Sequence, residues 1–206
     1  MQLNNSPLPP AHGAPLRALV PGYLGARSVK WLSGLTVSEF ESPNHYQRRD
    51  YKVLPPQAVD AETAAGWWGA VEAMAGMGVN VGIGCPEEGR RVVLDEKGAV
   101  EVGGWATPDG HHRGAGPVVR VEVSGDGGRT WTQAKITEDG DEGNGGGKWS
   151  WVLWQGWVGV EKGEGRTILA RAFDREGNGQ VRMGDGWNLR GVGYNGYGEV
   201  GGLSVE

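Results

Sequence analysis

The chain of 206 residues carries 20 Lys and Arg against 25 Asp and Glu, a formal net charge of −5, which does not supply the basic surface that a nucleic acid's phosphates require. Its length allows one ordinary domain, or one domain plus a fragment of another, with a core that needs no disulfide. The single Cys excludes an internal disulfide and fits a reducing compartment. No apolar run approaches membrane-spanning length, and the opening MQLNNSPLPPAHGAP has neither the basic start nor the apolar core of a signal peptide, so a soluble intracellular protein is expected. Glycine is in excess, 39 residues beside 10 Trp and 2 Phe; with Val and Trp alternating between the glycines, this indicates an all-β domain with many tight turns rather than low complexity.

In chain order, residues 1 to about 58 read as loops punctuated by Pro and Gly, with one strand-like run, LTVSEF, from Leu35 to Phe40. Residues 59 to 78 read as a connector whose Ala-rich segment has weak helical character, with Asp60 placed to cap its first turn. From about residue 79 short strands alternate with turns. RRVVLD and AVEVGGWA flank the turn EKG, and PVVRVEVS places Val119, Val121 and Val123 on one face. GDGG then turns into RTWTQAKI, KWSWVLWQGWVGV sets Trp149, Trp151 and Leu153 on one face, and RTILARAFD follows as another strand. Six or seven antiparallel strands predict a mainly β, immunoglobulin-like sandwich over 79–206. The acidic stretch DGDEGNGGGK, Asp139 to Lys148, is expected to be a loop without function.

GYLGARSVKWL, Gly22 to Leu32, carries the sharpest chemistry. Gly22 and Gly25 let the backbone approach a ligand closely, while Arg17 and Lys30 supply a guanidinium fork and a compact ammonium, a combination suited to a phosphate. Trp31 is expected to pack behind Ser28 and Lys30. Arg27, Arg48 and Arg49 are read as loop ties, through carbonyl contacts and ion pairs with Asp50. His45, His111 and His112 do not make a metal set with the lone Cys85; the adjacent pair in its glycine loop is expected to face solvent.

HGAPLRALVPGYLGARSVKWL, from His12, and the following SPNHYQRRDYKVLPP resemble the end of the molybdenum-cofactor domain of eukaryotic sulfite oxidases, a family shared with assimilatory nitrate reductases. EVSGDGGRTW, KWSWVLW, ARAFDREGN and GWNLRGV resemble successive segments of that family's C-terminal dimerisation domain, in the family's order. The resemblance implies that 1–58 is a C-terminal remnant of the α+β molybdopterin-binding domain and 79–206 an immunoglobulin-like dimerisation domain. It further implies that His12 and Arg17, five residues apart, together with Ser28, Val29 and Lys30, hold the phosphate and pterin ring of a molybdenum–molybdopterin cofactor. Arg190, in GWNLRGV, would reach the substrate oxyanion or else bridge the two domains, with Trp187 and Asn188 fixing its loop. The Trp residues at 131, 149, 151, 154 and 157 would fill the sandwich core and a dimer face. After the motif, GYNGYGEV departs from the Trp-His-Arg segment of animal and plant members, which removes the contacts carried there.

GARSVKWL and QRRDYK are closer to sulfite oxidase than to nitrate reductase, so the implied reaction is oxidation of sulfite to sulfate. A haem protein or dioxygen would be the electron acceptor, in a homodimer. The family's molybdenum-ligating Cys and its oxo-facing Arg, Lys and Tyr precede the position of His12, and Cys85 does not match the ligand motif. The chain as given is therefore expected to be a fragment that holds no molybdenum and shows no sulfite-dependent reduction of cytochrome c or ferricyanide on its own, with no catalytic or metal-ligating residue assigned. A fragment of an assimilatory nitrate reductase and a standalone, non-catalytic dimerisation module remain the alternatives. Family members occupy mitochondria, peroxisomes or cytosol, and the C-terminal GLSVE is not a peroxisomal signal.

Overall fold

Proline and glycine keep the first seventy or so residues from forming long elements, and valine alternation builds a sheet from the rest. The computed structural model describes residues 2–110, 116–139, 148–182 and 184–206. The His111–His112 pair and most of the acidic 139–148 stretch lie outside the described residues. The chain divides into two units: the first runs to Met77 and also takes in Trp187–Tyr194, and the second comprises Gly78–Gly186 and Asn195–Glu206.

In the first unit, β1 (Gln2–Leu3) pairs with β2 (Ser6–Pro7) across Asn4 and Asn5, both at positive φ, a conformation Asn tolerates better than most residues. The helix α1 (Ala61–Ala65) starts where the sequence predicts. Asp60 Oδ1 accepts from the Thr63 amide at 2.8 Å, and Thr63 Oγ1 accepts from the Asp60 amide at 3.1 Å, a reciprocal capping box. Ala64 then packs with Leu54 and Ala58 against Trp67, Trp68 and Leu189. The Lys52 side chain is buried, and its ammonium donates to the Trp68 carbonyl at 2.9 Å and to the Glu41 carboxylate at 3.3 Å. The strand expected over LTVSEF does not form: Leu35, Val37 and Phe40 are exposed and no described strand lies alongside to complete a ladder.

The second unit holds β3 (Asn80–Cys85), β4 (Arg91–Val92), β5 (Ala99–Thr107), β6 (Val118–Ser124), β7 (Thr132–Asp139), β8 (Val152–Gly159), β9 (Gly163–Asp174) and β10 (Gly198–Val205). They form one curled sheet in the order β3-β5-β8-β7-β6-β9-β10-β4, antiparallel throughout except where β4 runs parallel to β10. β7 turns the corner: Thr132–Ala134 pair with β6, whereas Lys135–Asp139 pair with β8. A strand that changes partners in this way folds one sheet over on itself and encloses a core between the two halves. That core contains Val102, Val121, Val123, Val152, Trp154, Ile168 and Leu203, each worth about 1.5–3 kcal/mol when fully buried. The expected mainly β class therefore holds.

Its details differ at three places. β4 does not pair with β5 across the EKG turn but joins the far edge beside β10. A register shift between Val118 and Arg120 breaks the alternation of β6, so Val118 faces inward with Val121 and Val123 while Val119 is exposed. The third is the glycine-rich pair β3 and β10, which the sequence pattern did not reveal. Gly104 shows what glycine does here: a Cβ at this position would overlap the Gly82 carbonyl across the β3–β5 pair and stand 2.7 Å from the Trp154 ring.

The β6–β7 turn is organised by Asp126. Its carboxylate accepts from Thr130 Oγ1 at 2.6 Å, from the Thr130 and Arg129 amides at 2.9 Å, and from Ser124 Oγ at 2.8 Å. These donors, the Thr130 hydroxyl foremost, hold its pKa well below the usual carboxylate range. A depressed folded-state pKa contributes stability that is complete above the unfolded value of about 4 and declines as pH falls below it. Asp126→Asn should therefore lower the thermal midpoint at neutral pH, and the gap to the wild type should narrow as melts are taken at successively lower pH beneath about 4. A gap that stays constant would contradict this assignment.

Candidate functional site

The first 38 residues contain Arg17, Arg27, Lys30 and His12 and no Asp or Glu, and the fold gathers most of these cations around one loop. His12 ends a short 3-10 turn, Pro10–His12, and Gly13 follows at φ 110°. A Cβ on Gly13 would stand 3.0 Å from Lys30 Cβ, so glycine lets the two strands of the loop close on each other. Arg17 then spans the loop: its Nε donates to the Ser28 carbonyl at 3.2 Å and its Nη1 to the His12 carbonyl at 3.3 Å. Lys30 Nζ donates to the Ala11 carbonyl at 2.8 Å. The Ala18 amide donates to the Val29 carbonyl at 2.9 Å, and the Val20 amide to Ser28 Oγ at 3.2 Å. His12, Arg17, Ser28, Val29 and Lys30 thus form one hydrogen-bonded group.

Every acceptor that Arg17 and Lys30 use here is a main-chain carbonyl. The contacts fix the side chains but leave their charge uncancelled. Arg17 keeps Nη2, Lys30 keeps two of its three N–H bonds, and the His12 imidazole makes no hydrogen bond among the described residues. Such a donor set fits a phosphate or another oxyanion, and it offers no ligand that a soft metal would prefer.

Trp31 departs from expectation. Its backbone is at φ 52° and the residue is 61% exposed, so it does not pack behind Ser28 and Lys30. The left-handed backbone turns the indole outward, where Nε1 donates to the Pro10 carbonyl at 2.8 Å and the Lys30 ammonium lies 5.7 Å from the ring centre.

Arg190 belongs to the same unit but to a different group. The chain leaves the second unit after Gly186 and returns to it at Asn195. Within this excursion the Asn188 side chain closes the loop, accepting from the Arg190 and Val192 amides at 3.3 and 3.2 Å and donating to the Val192 carbonyl at 3.1 Å. Leu189 supplies the packing, while Trp187 is exposed and does not have the packing role expected of it. Arg190 donates through Nη1 to the Arg49 carbonyl at 2.7 Å and through Nη2 to the Asp50 carbonyl and carboxylate at 3.3 and 3.4 Å. No hydrogen bond or ion pair joins it to the His12–Lys30 group among the described residues.

Arg27, read from the sequence only as a loop tie, is one: it donates to the Met74 carbonyl through Nε at 3.1 Å and to Gln47 Oε1 at 2.6 Å. The Tyr46–Asp50 turn therefore receives Arg27 through Gln47 and Arg190 through Arg49 and Asp50. Cys85 is an exposed free thiol at the end of β3. The signal in the sequence for the cation loop was the lack of any carboxylate before Glu39.

A family model described as the Mo-co oxidoreductase dimerisation domain matches residues 71–201, and one described as the oxidoreductase molybdopterin binding domain matches residues 1–46. The NADH nitrate reductase of Ulva prolifera is 39% identical over 197 residues, covering 93% of this chain and 22% of that protein. The mitochondrial sulfite oxidase of Homo sapiens is 40% identical over 193 residues, covering 93% of this chain and 33% of the relative. The chain thus spans about a fifth to a third of the length of these relatives. In fold it is similar to the sulfane dehydrogenase SoxCD of Paracoccus pantotrophus, at a TM-score of 0.67 and 23% identity over 94% of this chain and 45% of that one. With the dimerisation-domain match covering most of its length, this chain belongs to the molybdenum-cofactor oxidoreductase family, whose members similar to it include sulfite oxidases and a nitrate reductase.

Proposed function

We propose that the first unit grips the phosphate and pterin ring of a molybdenum–molybdopterin cofactor in a sulfite-oxidising enzyme, and that the second unit pairs two copies of it. The observation that carries the first half is the carbonyl-anchored set of His12, Arg17, Ser28, Val29 and Lys30, whose cations keep their charge and spare donors. In this reading Arg17 and Lys30 would hold the phosphate, and Ser28, Val29 and the His12 imidazole would help to hold the pterin. When bound, the cofactor supplies the two-electron oxo-transfer chemistry. Arg190 would position the substrate oxyanion through its Nε–H edge, since Nη1 and Nη2 are already committed to Arg49 and Asp50. A haem protein or dioxygen would be the electron acceptor.

The 39% identity to an algal nitrate reductase supports a second reading, in which the oxyanion is nitrate. The two are separated by assaying a cofactor-loaded preparation. Sulfite-dependent reduction of ferricyanide without nitrate reduction supports the first, and the reverse supports the second.

Charge-assisted hydrogen bonds of this kind contribute about 1.5–3 kcal/mol each. Arg17→Ala and Lys30→Ala should each weaken binding of a phosphate monoester to the chain by about tenfold or more, as measured by calorimetry. Equal affinity in wild type and both variants would remove the phosphate assignment.

Pairing is supported by an outward aromatic face on the β5–β8 part of the sheet. Trp151, Leu153 and Trp157 are all exposed, and the Trp105 and Trp151 rings lie 4.6 Å apart between centroids. Exposed Trp is enriched where protein surfaces meet. Sedimentation of the wild type should show a dimer that Leu153→Lys with Trp157→Lys converts to a monomer; a wild type that stays monomeric at high concentration would contradict the pairing.

A further inference from the structure

A cleft of about 550 Å³ in the second unit has a different chemistry from the cofactor loop. Its walls include Trp131 and Tyr197, whose rings meet edge to face with centroids 5.2 Å apart, and its apolar floor includes the buried Leu169. Three guanidinium groups surround these surfaces: Arg129, Arg171 and Arg182. Arg171 Cζ lies over the Trp131 ring, 4.1 Å from its centre, and the side chain is held there by its Nε bond to the Glu122 carboxylate at 2.7 Å. Among the described residues Arg129 commits only Nε, to the Asp126 carbonyl at 2.9 Å, which leaves both terminal nitrogens. The Arg182 side chain has no hydrogen-bond or ion-pair partner among the described residues.

Among the described residues no carboxylate lines the cleft, although the chain as a whole is acidic. Two guanidinium groups with uncommitted donors therefore stand beside two aromatic rings. A guanidinium fork selects an oxyanion, and ring faces and edges select a flat apolar body. The volume lies within the usual range for small-molecule sites, about 300–1,000 Å³. We propose that this cleft binds an aromatic oxyanion, with the ring against Trp131 and Tyr197 and the oxyanion on Arg129 and Arg182. Arg171, paired with the Glu122 carboxylate, fixes the position of the Trp131 wall. The site lies wholly within the second unit and does not depend on the cofactor reading.

The test is titration of the full chain with phenyl phosphate, followed in nitrogen–proton correlation spectra at the Trp131 indole N–H, so that phosphate bound to the first unit does not register. Phenyl phosphate should shift this signal saturably, with inorganic phosphate and phenol each at least about tenfold weaker. Arg182→Ala, an exposed position, should weaken the effect by about tenfold while the rest of the spectrum stays native. Arg17→Ala should leave it unchanged. No saturable shift with phenyl phosphate, equal response to inorganic phosphate or to phenol, or unchanged affinity in Arg182→Ala would each overturn the proposal.

Discussion

The first unit depends on cations that donate to main-chain carbonyls. Arg17 bonds the carbonyls of His12 and Ser28, Lys30 that of Ala11, Arg27 that of Met74, and Arg190 those of Arg49 and Asp50. A carbonyl satisfies the donor and fixes the side chain without cancelling its charge, which a carboxylate would do. The second unit contrasts with this: Arg91 pairs with Glu206, Arg120 and Arg171 share Glu122, and Arg166 meets Glu161. The same residue types thus act as ion-paired struts at Arg91, Arg120, Arg166 and Arg171 and as anchored, available charge at Arg17 and Lys30.

This arrangement suits a unit with little apolar core. Among the described residues its buried cluster consists of Leu54, Ala58 and Ala64, with Trp67, Trp68 and Leu189 partly covered around them. At about 1.5–3 kcal/mol for a large side chain and less for Ala, burial alone offers little against the entropy of ordering so many loop residues. The long polar ties do the rest, linking segments far apart in sequence: Arg27 to Met74, Lys52 to Trp68, Arg190 to Arg49. The sheet needs no such help, because valine alternation and Trp154 fill its interior. Its tight turns are set locally, as Asp126 does between β6 and β7.

The parts of the molecule legible in the sequence were those governed by short-range rules. Asp60 before the Ala-rich run gave a capped helix, and the Val121 and Val123 alternation gave an inward face. The GARSVK motif led to residues that do meet in space. What escaped reading depended on partners distant in the chain. β3 and β10 are so rich in glycine that their alternation is faint, and in β10 a register shift between Val200 and Leu203 breaks it outright. β4 looked like half of a hairpin, yet its hydrogen bonds go to a strand more than a hundred residues later. LTVSEF has strand composition but no strand to pair with among the described residues. Trp31 looked like packing because it is large and apolar, and only its left-handed backbone turns it outward.

The central claim is that carbonyl anchoring leaves the charge of the His12–Lys30 loop free for an anion. It is tested most directly by placing a carboxylate there. Val29 is exposed between Ser28 and Lys30, so Val29→Glu can be accommodated without disturbing the core, and Val29→Gln controls for size. The account predicts that Val29→Glu, folded by circular dichroism, loses about tenfold or more in phosphate-monoester affinity while Val29→Gln retains it. Undiminished affinity in a folded Val29→Glu would contradict it.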